Sequence, residues 1–143
     1  MTIAGALPSA PVRSTLRHAA AANAEAMIEF AQRLIQTPSL SGEERQIAEL
    51  VASEMRTLGY DDVWIDQAGN VIGVLRGTAN GPTVQFNSHL DHVATGDPQL
   101  WLRPPFAAVI ENGVLYGRGA SDIKGAMASQ VYLAAVLRDA AVE

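Results

Sequence analysis

The spacing of apolar residues changes from helical to strand-like before the middle of the chain. Up to Leu58 they recur three and four positions apart, as on one face of a helix. After Gly59 they form short runs rich in β-branched residues, separated by turn-forming residues. A last stretch, 123–138, returns to helical spacing. Two helices, several strands and a final helix predict an α/β fold class with a layered, mixed-sheet domain.

The element boundaries follow from caps, breakers and turn residues. One helix is predicted over 18–36, ending before Pro38 because the residue before proline avoids helical angles. A second is predicted to begin at Ser41, in a capping box with Glu44, and to stop at Gly59. The predicted strands are 63–66, 71–75, 83–88, 108–110 and 114–116. The first pair and the last pair of these strands are predicted to form hairpins.

Composition excludes several classes of protein. The net charge of −5 argues against a nucleic-acid surface, which needs a basic stripe. No apolar run reaches the roughly 18 residues of a membrane span. The chain has no cysteine, so a metal would be held by histidine and carboxylates, and a reducing cytoplasm is compatible. We therefore expect a cytoplasmic protein without nucleic-acid or membrane partners.

The first 17 residues differ from the rest. They are apolar at the start and contain Pro8 and Pro11, while the basic residues follow the apolar stretch. A signal peptide has the opposite order. We expect residues 1–17 to be a disordered leader and residues 18–143 to form the folded portion.

A histidine and a carboxylate stand two positions apart at the end of the predicted strand 83–88. Side chains alternate across a strand, so His89 and Asp91 would point the same way. A carboxylate beside a metal-binding imidazole usually accepts its second N–H and fixes the ring. Asp91 could therefore orient His89 or bind a metal directly. A His-x-Asp triplet is common, however, and by itself is weak evidence of a metal site.

A second carboxylate, Asp122, follows a glycine-rich turn that opens the last helix. Gly117 and Gly119 let the chain turn tightly, so that this carboxylate could reach a neighbouring strand end. An aspartate at a helix start is more often only a cap. The turn lacks the third glycine of a dinucleotide loop, and Asp122 in its place would repel a pyrophosphate. Histidine and carboxylate donors suit Zn²⁺, with Co²⁺ or Mn²⁺ as alternatives.

Taken together, these motifs resemble the M20 metallopeptidases. The resembling stretches are Ser-His-Leu-Asp-His-Val (88–93), Thr-Gly-Asp (95–97), Gly-Arg-Gly-Ala-Ser-Asp-Ile-Lys-Gly (117–125) and Pro-Ser-Leu-Ser-Gly-Glu-Glu (38–44). That family includes acetylornithine deacetylases, succinyl-diaminopimelate desuccinylases, aminoacylases and glutamate carboxypeptidases. The resemblance spans roughly residues 25–140. It implies the N-terminal half of a zinc-exopeptidase-like catalytic domain, without the lid or dimerisation domain and the C-terminal half.

The resemblance also implies roles for individual residues. His89 would bind one of two divalent metal ions, Asp122 would bridge both, and Asp91 would orient the His89 ring. Two changes depart from a frequent family pattern: His92 and Ala94 stand where valine and proline are common. They leave the implied ligands unchanged but put the loop conformation and substrate subgroup in doubt. From its strand parity, His92 is interpreted as a packing or surface residue.

The activity implied by the resemblance is metal-dependent hydrolysis of an amide bond in a small N-acyl amino acid or short peptide. The family's general base and further ligands include a Glu-Glu pair, but after Asp122 the sequence has only Asp139 and Glu143 as acids. We therefore expect an N-terminal fragment that is inactive alone. The alternatives are a non-catalytic binding module and one half of a split enzyme. The resemblance also allows a homodimer for the full-length protein.

Overall fold

The computed structural model describes residues 9–77 and 81–140. The chain begins with two consecutive helices, α1 (Ala10–Ala22) and α2 (Ala24–Gln36), which meet at Asn23. The side-chain amide of Asn23 donates to the carbonyl oxygen of Ala19 at 2.9 Å. Such a local bond competes with the helical pattern and favours a break at this point.

The N-terminal region corrects the expectation of one helix over 18–36. The predicted single helix over 18–36 is two helices, and α1 already begins at Ala10 within the predicted leader. Pro11 does not prevent this, because proline is well tolerated in the first turn. Asn23 also bonds the carboxylate of Asp139 at 2.8 Å, which ties the α1–α2 junction to the last helix. Residues 1–8 of the predicted leader lie outside the described residues.

The third helix, α3 (Arg45–Thr57), begins later than the sequence predicts. The capping box from Ser41 is not formed: the Glu44 carboxylate accepts the amide of Gly42 at 2.8 Å, and the Ser41 hydroxyl bonds elsewhere. Gly59 follows the helix with φ of +74°, so the predicted glycine stop is confirmed.

Two antiparallel hairpins follow the predicted positions. In the first, β1 (Asp62–Ile65) pairs with β2 (Val71–Val74). In the second, β3 (Val109–Glu111) pairs with β4 (Val114–Tyr116). The turn between β3 and β4 has positive φ at both central residues, as an Asn-Gly hairpin turn requires.

The strand predicted over 83–88 is not formed. The stretch 81–91 has no regular secondary structure, and its apolar side chains Val84 and Phe86 are exposed by 71% and 59%. A strand exists only as a partner in a ladder, and each hairpin is paired only within itself. No described strand lies beside this segment to hydrogen-bond with it.

The last helix, α4 (Gly125–Asp139), packs against α2 and α3 and forms the core with them. The core residues are Phe30, Ala31, Leu34, Ile47, Val51, Met127, Ala128, Val131 and Tyr132. The small residues at the start of α4 permit this close packing. The helix starts two residues later than predicted because a wide turn, Ala120–Lys124, precedes it.

The architecture thus combines four helices with two small antiparallel hairpins within the described ranges, which agrees with the α/β class. The described strands form two separate two-stranded sheets. The layered mixed sheet of the zinc-exopeptidase type therefore stays a prediction. In the described part of the chain, no helix has both the length and the apolar character needed to cross a membrane.

Candidate metal centre

The segment that carries His89 and Asp91 is fixed by the loop between α2 and α3. Leu40 and His92 form a parallel β-bridge, and the amide of His92 donates to the carbonyl of Ser39 at 2.8 Å. Backbone pairing of this kind holds the segment extended, although no full strand forms there. The sequence predicted that the side chains of His89 and Asp91 point the same way, as on a strand. In the structure a single β-bridge, between Leu40 and His92, supports this extended backbone.

The turn that carries Asp122 depends on two glycines. A Cβ atom on Gly117 would lie 2.4 Å from Cγ2 of Ile35, so any side chain there would collide with α2. Gly119 has φ of +82°, a conformation that residues with a Cβ rarely adopt. The Asp122–Ile123 peptide bond that follows is cis. The two glycines thus permit the close turn that places Asp122 beside the His89 segment.

The two motifs meet at one point. The Nε2 atom of His89 lies 3.1 Å from Oδ1 of Asp122, and both side chains are accessible at 49% and 87%. They border a cleft of about 220 Å³ between the segment 89–93 and the turn 117–122. The residues predicted to share a site, His89, Asp91 and Asp122, are therefore adjacent in the fold.

Asp91 lies on the other side of the imidazole ring. Its Oδ1 is 3.1 Å from Nδ1 of His89, and its backbone carbonyl is also 3.1 Å from that atom. A proton on Nδ1 would thus face two acceptors, leaving the Nε2 lone pair directed towards Asp122. Asp91 therefore lies on the side of the ring opposite to Nε2. This position suits a carboxylate that orients the ring better than one that binds a metal ion together with Nε2.

The donor pair fits part of a divalent-metal site. Two donor atoms bound at about 2.0–2.1 Å to one tetrahedral zinc ion lie about 3.3 Å apart. The 3.1 Å separation of His89 Nε2 and Asp122 Oδ1 is close to that value. Within residues 9–77 and 81–140, however, no group of three or more suitable side chains could hold an ion. This part of the chain therefore offers two donors, fewer than the three protein ligands of a catalytic zinc site.

The charges in the site favour an ionised carboxylate beside the imidazole. Partial burial alone would lower the pKa of His89, but its bonds to Asp122 and Asp91 outweigh this and raise the pKa. The hydroxyl of Ser41 and the nearby His89 lower the pKa of Asp91. A cation at Nε2 would replace the proton there, so metal binding would compete with protonation.

Lys124 is a residue of the site region to which the sequence assigned no role. It is buried, and its ammonium group donates to the carbonyl oxygens of Leu34 and Thr37 at 2.9 and 2.8 Å. Burial lowers its pKa to about 8. The side chain therefore fastens the Asp122 turn to the C-terminal end of α2. The lysine belongs to the motif Gly-Arg-Gly-Ala-Ser-Asp-Ile-Lys-Gly, but its partners on α2 lie far away in sequence.

His92 is buried against Phe106, with ring centroids 5.3 Å apart. Its Nε2 accepts the amide of Ser39 at 2.9 Å, and its Nδ1 lies 2.9 Å from the carbonyl of Val93. Both ring nitrogens are thus engaged, so of the two interpretations of His92, as a packing or a surface residue, the structure supports packing.

Arg118 is the other motif residue without an assigned role. Its guanidinium carbon lies 4.9 Å from the centre of the Trp101 ring. Its Nε is buried and has no hydrogen-bond partner among the described residues. The stacking fixes this cation beside the loop that precedes β3.

His89 and Asp122 are thus two possible donors for a divalent cation at this cleft, with Asp91 beside the imidazole. Comparison with known proteins narrows the class of protein to which these residues point. Residues 85–143 match the model of peptidase family M20/M25/M40. The chain is also 40% identical, over 114 residues, to a succinyl-diaminopimelate desuccinylase of Halorhodospira halophila (strain DSM 244 / SL1). Over residues 85–143 the chain thus carries the sequence pattern of peptidase family M20, and its similarity to the desuccinylase extends over 114 residues.

The match to that relative covers 79% of this chain and 29% of the relative. The chain thus spans less than a third of the length of the curated relative. The activity and substrate of the relative therefore enter only as the basis of a proposal.

Proposed function

We propose that this chain supplies metal ligands to an M20-type hydrolase that cleaves an amide bond. The observation that carries the proposal is the 3.1 Å approach of His89 Nε2 to Asp122 Oδ1, with Asp91 at the opposite ring nitrogen. The M20 match includes all three residues. The relative is named for removal of a succinyl group from succinyl-diaminopimelate, which supports an N-acyl amino acid as the substrate class over a longer peptide.

In this proposal His89 and Asp122 would together hold one divalent cation, since Nε2 and Oδ1 are the atoms that face each other. The Asp122 side chain is 87% exposed, so its second oxygen is accessible for a second cation. Zn²⁺ suits these donors best, with Co²⁺ or Mn²⁺ as alternatives. Bound cations of this kind lower the pKa of a water molecule and polarise a carbonyl group. Asp91 keeps the His89 ring in the orientation that exposes Nε2.

The reaction is hydrolysis without a redox step. The oxygen of water adds to the carbonyl carbon, the carbon–nitrogen bond breaks, and the departing nitrogen takes a proton. The products are a carboxylic acid and an amine. Among the described residues, the two carboxylates that line the cleft, those of Asp91 and Asp122, both contact His89, so neither is free to serve as the proton carrier.

We infer that hydrolysis also needs donors and a general base from outside these 143 residues. The chain on its own is then inactive or nearly so, since loss of a general base alone typically costs about 10²–10⁴-fold in rate. The missing groups would come from the same polypeptide or from a partner chain, as in a split enzyme. A partner that restores activity would carry acidic residues and a histidine.

A non-catalytic binding module is the second candidate. The observation that favours it is the number of donors, because the described residues supply only two for a cation. Such a module would keep the cleft between 89–93 and 117–122 without performing chemistry. It would bind small carboxylated amino acids equally well with and without added metal, whereas the hydrolase proposal requires binding to depend on metal.

The test is a Zn²⁺ titration of the whole chain by calorimetry, with matched substitutions. His89→Ala and Asp122→Asn should each weaken Zn²⁺ binding by at least tenfold. His18→Ala is the control, because His18 is an exposed histidine on α1 that bonds only its own helix. Equal affinity in all four proteins would overturn the proposed site.

A further inference from the structure

The carboxylate of Asp91 is shared between two partners. Its Oδ1 lies 3.1 Å from Nδ1 of His89, and its Oδ2 accepts the hydroxyl of Ser41 at 2.5 Å. An O–H···O⁻ bond of this length is in the range of short, charge-assisted hydrogen bonds. Without Ser41 the carboxylate could rotate about its bond to Cβ, and its orientation towards the ring would depend on His89 alone.

Ser41 is itself held in place by the chain before it. The hydroxyl of Ser39 donates to the carbonyl of Leu90 at 2.8 Å, and the Ser39 amide donates to Nε2 of His92 at 2.9 Å. The α2–α3 loop is thus bonded to the site segment on both sides of Asp91. Ser41 therefore reaches Asp91 from a fixed position, although it is on the surface.

The same loop is connected to the other half of the site. Lys124 donates to the carbonyl of Thr37, four residues before Ser41, and it follows Asp122 by two residues. One short stretch, 37–41, thus contacts both ligand-bearing segments. Its connection to Asp122 runs through the Lys124 side chain, two residues further along the chain, whereas its connection to His89 runs through the Ser41 hydroxyl and the Asp91 carboxylate.

We propose that Ser41 is a positioning residue for the His89 ring and acts through the Asp91 carboxylate. The consequence for metal binding rests on the proposed function, but the orientation of the ring does not. Outer partners of metal-binding histidines are worth about 10–100-fold in metal affinity. Ser41 is one bond further out than Asp91, so Ser41→Ala is expected to weaken Zn²⁺ binding by about tenfold, the lower end of that range.

The alternative role for Ser41 is purely local, as a turn residue before α3. Ser41→Ala would then lower the midpoint of thermal unfolding and leave the imidazole of His89 unaffected. Ser53→Ala is the matched control, because Ser53 is an exposed serine on α3 whose carbonyl bonds Thr57 of the same helix. Ser41→Thr keeps a hydroxyl and serves as the conservative variant.

The experiment records ring ¹⁵N resonances of His89 in the metal-free whole chain, and Zn²⁺ affinity of the same proteins. Ser41→Ala should shift the Nδ1 resonance and weaken Zn²⁺ binding, while Ser41→Thr and Ser53→Ala should resemble the unaltered protein. In an Asp91→Ala background, adding Ser41→Ala should change nothing further, because the route through the carboxylate is already broken.

Two results would overturn the proposal. One is a His89 ring spectrum in Ser41→Ala that matches the unaltered chain while Asp91→Ala differs. The other is an undiminished effect of Ser41→Ala in the Asp91→Ala background. If the unaltered chain binds no Zn²⁺, its two donors do not hold the cation without the further ligands that the proposed function requires, and the metal-free ring spectra still decide the role of Ser41.

Discussion

The ammonium group of Lys124 donates to the carbonyl oxygen of Thr37 at 2.8 Å, although 87 residues separate them. A second bond, to Leu34 at 2.9 Å, completes the attachment of the Asp122 turn to the end of α2. The last carbonyls of a helix lack partners within the helix, and a cation there satisfies them.

Lys124→Met is expected to destabilise the fold. Methionine fills a similar volume but removes both bonds, which leaves the partly buried carbonyl of Thr37 without this donor and the carbonyl of Leu34 with only the Thr37 amide at 3.3 Å. This loss should cost about 1–3 kcal/mol. Chemical denaturation of the variant measures this loss. Arg45→Met, which removes an exposed cation at the start of α3, is the control and should change stability by less than about 0.5 kcal/mol. Equal stability of the two variants would contradict the structural role of Lys124.

Gly117→Ala should strain the contact between the Asp122 turn and α2. The added Cβ would lie 2.4 Å from Cγ2 of Ile35 and 3.1 Å from the carbonyl of Pro105. We expect a loss of about 1–3 kcal/mol, as for other overpacked positions. Adding Ile35→Ala removes the colliding atom, so the cost of Gly117→Ala should be smaller in that background. Gly77→Ala, where a Cβ would meet nothing within 4 Å, is the control.

Local features of this fold could be predicted from the sequence, whereas contacts between distant segments could not. The Asn112-Gly113 hairpin, the stop at Gly59 and the adjacency of His89 and Asp91 depend on neighbouring residues, so local patterns sufficed. The burial of Lys124 depends on α2, far away in sequence. Ser41 matched a capping box, and only the fold shows that its hydroxyl bonds Asp91 instead. The segment 83–88 has strand composition but no described strand beside it.

Tyr132→Phe should destabilise the core through the carboxylate of Glu54. The Tyr132 hydroxyl donates to Glu54 at 2.6 Å, and Arg33 bonds the other oxygen of that carboxylate at 2.6 Å. Loss of a buried bond to a charged group is expected to cost about 1.5–3 kcal/mol. Tyr60→Phe is a matched control, since its hydroxyl donates to a neutral carbonyl, that of Val131. It should cost about 0.5–1.5 kcal/mol, and urea unfolding compares the two.

Alkaline pH should destabilise the protein partly through Tyr132. Burial, followed by the bond to Glu54, raises the pKa of Tyr132 above its ordinary value of about 10. The folded state therefore favours the neutral phenol, and this contribution is fully present below about pH 10 and is lost as the pH rises further. The free energy of unfolding should fall less steeply above pH 10 in Tyr132→Phe than in the unaltered chain. Identical slopes would show that Tyr132 does not contribute.

The central claim is that His89 and Asp122 bind a divalent cation together. The most direct measurement is the broadening of backbone amide signals by substoichiometric Mn²⁺, a paramagnetic ion that accepts nitrogen and oxygen donors. The account predicts that signals from 89–93 and 117–123 disappear first, and that His89→Ala abolishes this pattern. Persistence of those signals, with first losses around the exposed acidic pair Asp61 and Asp62, would contradict it.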